Sequence, residues 1–142
     1  MIYVTVNDFS RQLDLLNFFI KKYKLDICIW LYPESSITEI IGLPIYTDSS
    51  TNIQPITTYE EPHKYKYTKL IKVDTSIIDS LYLNEKILKN NCDSIALYKE
   101  NSYQWIISTI GHEKMCLVND LTYLNELIDN GFDVSTEAPS WW

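Results

Sequence analysis

Between Asp93 and Val118 apolar and polar side chains alternate every second residue. Ile95 and Leu97 are interleaved with Ala96 and Tyr98, Glu100-Asn101-Ser102 interrupts, and Tyr103, Trp105 and Ile107 are interleaved with Gln104, Ile106 and Ser108. A period of two, rich in β-branched and aromatic residues and closed by polar turn residues, predicts strands, because successive strand side chains leave opposite faces. Gly111 breaks the second run and Met115-Cys116-Leu117-Val118 resumes it, which predicts a third short strand or a bulge. These adjacent antiparallel strands are the part of the chain the remainder is expected to fold around.

Upstream, Ile2 to Val6 is a β-rich run. Asn7 or Asp8 can then cap a helix over about Asp8 to Lys24. Phe9, Leu13, Leu16 and Ile20 form its apolar stripe, broadened by Phe19 and Tyr23, and Lys21, Lys22 and Lys24 suit its negative pole. Asp26 to Tyr32 is apolar on both alternating sets, the signature of a strand covered on both faces. Strand, helix, strand at this spacing permits a crossover with parallel pairing of the two strands. From Glu34 to Pro62 the pattern is weakest: polar turn chemistry at Thr47 to Asn52, and prolines 44, 55 and 62, suggest a long surface excursion that is functional or conceals a hairpin. Tyr65 to Val73 reads as a strand with Lys64, Lys66 and Lys72 toward water. Asp74 or Thr75 caps a helical segment to about Lys89. Asn119 caps a last helix whose Leu121, Leu124, Leu127 and Ile128 share a face, with Gly131 at a left-handed stop and Phe132 to Ser135 as an edge strand. The expectation is one α+β domain over residues 1–142, a mainly antiparallel sheet packed against two or three helices.

Composition narrows this. With 46% apolar residues, 13% aromatics and three glycines the chain can bury a core without metals or disulfides. Cys28, Cys92 and Cys116 are odd in number, lack any CxxC and sit mostly in apolar runs, so they are expected reduced, as in a cytoplasm. The N-terminus does not read as a secretory signal, and no run approaches the roughly 18 apolar residues of a membrane span. A soluble cytoplasmic protein without a membrane partner is expected.

The net charge of −7 is concentrated late: residues 115–142 hold Asp120, Glu126, Asp129, Asp133 and Glu137 and no Lys or Arg. A surface of that sign repels phosphate backbones and steers basic partners. His63-Lys64-Tyr65-Lys66-Tyr67 interleaves bases with aromatics, as single-strand binders do, but on a strand the lysines share one face and the tyrosines the other, and Glu60 and Glu61 precede them. Nucleic-acid binding is not expected.

Enzymatic chemistry finds little footing. His112-Glu113-Lys114-Met115-Cys116 resembles half of an HExxH zinc helix with Cys in the second ligand position, yet its flanks are strand-like and Gly111 marks a turn. His112 serving Cys116 as a general base needs an accessible, electropositive thiol, and MCLV reads as buried. Glu60-Glu61 places no substrate between its carboxylates, and no glycine-rich phosphate loop or GxSxG exists. No catalytic residue, metal or cofactor is expected. The acidic positions Asp120, Glu126, Asp129, Asp133 and Glu137 lead into Trp141 and Trp142, charges that steer beside aromatics that supply contact area, with His112 as a further turn-borne anchor.

In its overall profile (small, acidic, single-domain α+β, reduced cysteines, no catalytic constellation) the chain resembles bacterial toxin-immunity proteins. The likeness is of profile over the whole chain and rests on no motif. It implies a cognate toxin, often a basic nuclease, bound tightly and blocked by acidic side chains in its substrate site. Two other readings stay open: a small regulatory or scaffold module binding through Glu34 to Pro62, and a thiol or metal enzyme using His112 and Cys116. Oligomeric state is not readable from the sequence.

Overall fold

The alternating and helical patterns resolve into ten strands and four helices in the computed structural model, which describes residues 1–48 and 51–142. In chain order these are β1 (Ile2–Thr5), α1 (Phe9–Ile20), β2 (Leu25–Leu31), β3 (Glu39–Ile40), β4 (Leu43–Pro44), β5 (Lys66–Tyr67), β6 (Ile71–Lys72), α2 (Thr75–Leu83), α3 (Glu85–Asn91), β7 (Cys92–Lys99), β8 (Trp105–Ile110), β9 (Met115–Val118), α4 (Leu124–Asp129) and β10 (Asp133–Ser135). The fold is α+β. Eight strands make one antiparallel sheet in the order β10-β1-β9-β8-β7-β2-β5, with β6 pairing β2 beside β5. The third strand expected after Gly111 is β9, so β7, β8 and β9 form the consecutive meander at the sheet's middle.

β1 and β2 do run the same way, but β9, β8 and β7 lie between them, so the parallel pairing the sequence permits does not form. Local spacing allows a crossover; it does not say how many strands the crossover spans. α1 starts where Asp8 accepts the Ser10 N–H at 3.0 Å, and it ends at Ile20, leaving Lys21, Lys22 and Lys24 beyond its last turn. The helical segment expected to Lys89 is two helices, α2 and α3, broken at Asn84. Asp120, not Asn119, caps the segment before α4 by accepting the Thr122 N–H, and of its four leucine and isoleucine positions only Leu127 is fully buried, Leu121 and Ile128 being exposed. Gly131 stops α4 with φ +81°, the Gly131 N–H donating to Ile128 O and the Phe132 N–H to Leu127 O. Arg11 closes the same terminus: its Nη2 donates to Asn130 O at 2.7 Å while the guanidinium lies 3.8 Å over the Phe132 ring.

Every residue of β2 is buried, as the apolar run from Ile27 to Leu31 demands, and the buried Asp26 accepts the Asn101 N–H. One face of the sheet, carrying Val4, Ile27, Ile29, Ile95, Leu97 and Val118, packs against Leu13, Leu16 and Phe19 of α1, Ile77 and Leu81 of α2, Leu88 of α3 and Leu127 of α4. The opposite face, carrying Cys28, Trp30, Tyr67, Ala96 and Tyr98, is covered by Ile53 and Tyr65 with Tyr46 and Tyr59. The stretch read as a surface excursion thus supplies part of the sheet's second covering layer, through Tyr46, Ile53 and Tyr59, while its Ile37, Ile40, Ile41 and Ile45 pack with the helix-side core. It also conceals a hairpin: β3 and β4 pair around Ile41 and Gly42, both with positive φ, the backbone of a two-residue turn that follows strand twist. Ser49 and Ser50 of the polar turn expected at Thr47 to Asn52 lie outside the described residues. Tyr65 to Val73 is not one strand. β5 and β6 both pair β2, and between them Thr68 receives the Ile29 N–H on its hydroxyl and gives its own N–H to Ile29 O. Lys66 faces inward enough to donate to Ser35 O.

Candidate functional site

The densest polar cluster is built on a fault in the sheet. Along β7 the pairing with β2 slips: Trp30 faces Ser94 while Leu31 faces Cys92, so Asp93 is the extra residue of a bulge. A bulge re-aims its unpaired side chain. Here it turns the Asp93 carboxylate out of the alternation and under the covering layer, with its side chain fully buried.

Five donors converge on that carboxylate. Oδ1 accepts the His112 backbone N–H at 2.9 Å, the His112 Nδ1–H at 2.6 Å and the Tyr32 hydroxyl at 3.1 Å. Oδ2 accepts the Tyr65 hydroxyl at 2.5 Å and the Thr57 hydroxyl at 2.7 Å. Burial pushes the carboxyl up, but the bonds from Tyr65, from the His112 amide and ring and from Thr57 outweigh it, and Asp93 titrates below its ordinary value. Burial and then the Asp93 charge push the Tyr32 hydroxyl up; burial and the bond to Asp93 do the same for Tyr65. Gly111 makes the approach of His112 possible. A Cβ at Gly111 would lie 3.1 Å from Cys92 O and 3.2 Å from Asp93 O, so the turn between β8 and β9 can sit this close to the bulge only without a side chain there.

The imidazole continues the chain of contacts. Its Nε2 is 2.9 Å from the Thr58 hydroxyl and 3.3 Å from Glu113 Oε1, and Thr58 Oγ1 is 3.0 Å from the same Glu113 oxygen. Tyr59 stacks on Tyr65 with ring centroids 4.9 Å apart, and its edge meets the imidazole. Thr58, Tyr59, Glu60, Glu61 and His112 line a recess of about 320 Å³, at whose rim Glu61 pairs with Lys64 at 2.7 Å.

Hydroxyl, imidazole and buried carboxylate in line have the spacing of a nucleophilic relay. Two features oppose that chemistry. The Thr58 hydroxyl is shared with the Glu113 carboxylate, and the N–H that follows it, on Tyr59, already donates to Thr57 Oγ1 at 3.0 Å. In relays on a nucleophile elbow, the N–H after the nucleophile helps hold the oxyanion. What the cluster does physically is join β7, the β8–β9 turn, the end of β2 and the covering layer at one ionised carboxylate.

The acidic residues expected to meet a partner are not gathered in one place: Asp120 lies beside Lys99 and Trp105, Glu126 and Asp129 are on α4, and Asp133 and Glu137 are at β10. Asp120 caps its own turn, and chiefly the Thr122 N–H holds its carboxyl below the ordinary value. Glu126 is paired to Lys22 of the segment after α1. Asp129, Asp133 and Glu137 are exposed and form no ion pair among the described residues. Asp133 and Glu137 line one groove of about 220 Å³ with Tyr3, Ser135 and Pro139, on the edge strand β10. Trp142 packs edge-on against Tyr3, centroids 5.6 Å apart, and remains 43% exposed; Trp141 leans on Trp142 and is 55% exposed. Trp142 is therefore partly a latch, and Trp141 projects. His112 does not project as a free anchor, because both ring nitrogens are engaged within the protein.

Cys116 lies fully buried on β9, paired with Val4 and Thr109, and burial pushes its thiol up. His112 and Cys116 are not brought together. Among the described residues no group of three His, Cys, Asp or Glu side chains could hold a metal ion, and no helix is long and apolar enough to cross a membrane. The Asp93 cluster escaped the sequence reading, although one signal pointed to it: Asp93 is the only charge between Asn90 and Lys99, at the head of an apolar strand, where an unpaired carboxylate is untenable. Comparison with known proteins finds no matching family model, no similar curated protein and no similar solved structure.

Proposed function

We propose that this protein is a non-catalytic binding protein that neutralises a basic protein partner, in the manner of an immunity protein blocking its toxin. The observation that carries this reading is the set of carboxylates left without an internal base: Asp129, Asp133 and Glu137, the last two sharing a groove on the edge strand beside the half-exposed Trp141 and Trp142. Unneutralised charge costs little in water and speeds encounter with an opposite charge, while projecting tryptophans supply the desolvated contact that slows release. Glu126 and Asp120 play a smaller part, since Lys22 and the Thr122 N–H already hold them. The Thr58-His112-Asp93 line supports the non-catalytic half of the reading, because its hydroxyl is shared with Glu113 and the adjoining N–H is engaged.

The test is co-expression with the product of the neighbouring gene, where an immunity protein's toxin is encoded. Wild type restores growth and binds that product with an association rate that falls as salt rises. The double reversal Asp133→Lys/Glu137→Lys slows association at least tenfold at low salt, and Trp141→Ala speeds dissociation. Unchanged kinetics in both variants removes this surface; a non-toxic neighbour that does not bind removes the reading.

A further inference from the structure

The cluster around His112 poses a question of proton number. Asp93 is ionised and can only accept, so the His112 Nδ1, 2.6 Å from Asp93 Oδ1, carries a hydrogen. Thr58 has one hydroxyl hydrogen and two neighbours for it, Nε2 at 2.9 Å and Glu113 Oε1 at 3.0 Å. A carboxylate cannot donate. If Thr58 donates to Glu113, the contact between Thr58 and Nε2 is a hydrogen bond only when Nε2 also carries a hydrogen. If Thr58 donates to a bare Nε2 instead, Glu113 Oε1 loses its donor and faces a nitrogen lone pair 3.3 Å away. The complete set of contacts needs both ring hydrogens.

We infer that the doubly protonated His112 ring is a clasp, lying between the Asp93 and Glu113 carboxylates and holding the Thr57–Tyr59 part of the covering layer onto the β8–β9 turn, and that removing its second proton loosens that layer. The groups facing the ring are Asp93 from β7, Glu113 from the same turn, and Thr58 and Tyr59 from the covering layer. Glu60 and Glu61 share its recess, with Lys64 neutralising Glu61. Tyr32 and Tyr65 act on it through Asp93. Of these groups only Lys64 is a cation, and it is engaged by Glu61. The inference is independent of the proposed partner surface, which lies on β10.

The protein has two histidines, so His63→Asn leaves a single imidazole whose NMR signals follow His112 through pH 5 to 8. Backbone amide exchange of Thr57 to Tyr59, corrected for intrinsic rates, is measured over the same range. Protection is expected to fall on the order of tenfold as the ring loses its proton, the loss of one charge-assisted hydrogen bond. Glu113→Gln is expected to flatten that dependence, because its amide can donate to a bare Nε2. Exchange that ignores the ring's titration, or a dependence that Glu113→Gln leaves at full size, overturns the clasp.

Discussion

Replacing Asp93 by Asn keeps the shape of the cluster and removes its charge, which makes it the sharpest probe of what the bulge holds. Two donors on the Oδ1 side, the His112 backbone N–H and Nδ1–H, cannot be reversed without moving the turn, so the amide oxygen takes that side. The amide nitrogen then faces Tyr65 and Thr57, whose hydroxyls can rotate to accept. Geometry survives; charge assistance does not. Bonds to an ionised acceptor are about twice as strong as neutral ones, so weakening five of them by about 1 kcal/mol each removes about 5 kcal/mol. No longer burying a charge returns part of this, leaving a net loss of about 2–3 kcal/mol. With a urea slope of about 2 kcal/mol per molar, the midpoint followed by tryptophan fluorescence falls by about 1–1.5 M. The pH course is equally specific. Because folding lowers the Asp93 value, its contribution is fully present above the unfolded carboxyl's value of about 3.9 and is lost as pH falls through the lower folded one. The gap between wild type and Asp93→Asn should therefore persist at neutral pH and close only below about pH 4. A variant within 0.5 kcal/mol of wild type at pH 7 refutes the argument that this carboxylate fastens four segments.

Gly111→Ala forces a Cβ to about 3.1 Å from the Cys92 carbonyl. It should cost about 1–3 kcal/mol and shift the His112 ring signals, because the turn must back away from Asp93. Leu127→Ala empties the one fully buried position of α4 and should cost about 2–5 kcal/mol, while Ile128→Ala, on the exposed side, stays within about 0.5 kcal/mol; chemical denaturation separates the two. Cys28, Cys92 and Cys116 are buried, and burial raises all three thiols, Cys28 to about 12. An aromatic disulfide reagent at pH 8 should therefore titrate none of them in the native protein and all three in denaturant, and rapid native labelling of any one would contradict its burial.

Much of the fold could be read one element at a time. The stripe Phe9, Leu13, Leu16, Phe19 announces α1, and β2 shows by its apolar run from Ile27 to Leu31 that both its faces are covered. What covers the second face was not legible, because Tyr46, Ile53, Tyr59 and Tyr65 reach it from separate places in the chain, divided by turns and prolines. The neighbours of β1 were hidden for a related reason: pairing depends on hydrogen bonds between segments far apart, and nothing local records them. The Asp93 cluster combines both obstacles. Its carboxylate is re-aimed by a slip of register, a property of two strands together, and its donors come from residues 32, 57, 65 and 112. The exposed acids and tryptophans of the C-terminal segment were legible because charge and composition survive without a fold, but only coordinates separate Glu126, held by Lys22, from Asp133 and Glu137.

The position of β1 bears on how the protein is made. Its two neighbours, β9 and β10, are translated long after it, with Ile2 waiting for Val118 and Tyr3 for Ser135. At about 5–20 residues per second, a ribosome exposes Ile2, Val4 and Val6 for on the order of ten seconds before either neighbour is made. A nascent chain stalled before Met115 holds an apolar strand with two open edges, so premature termination should yield aggregates or chaperone clients instead of a shortened protein.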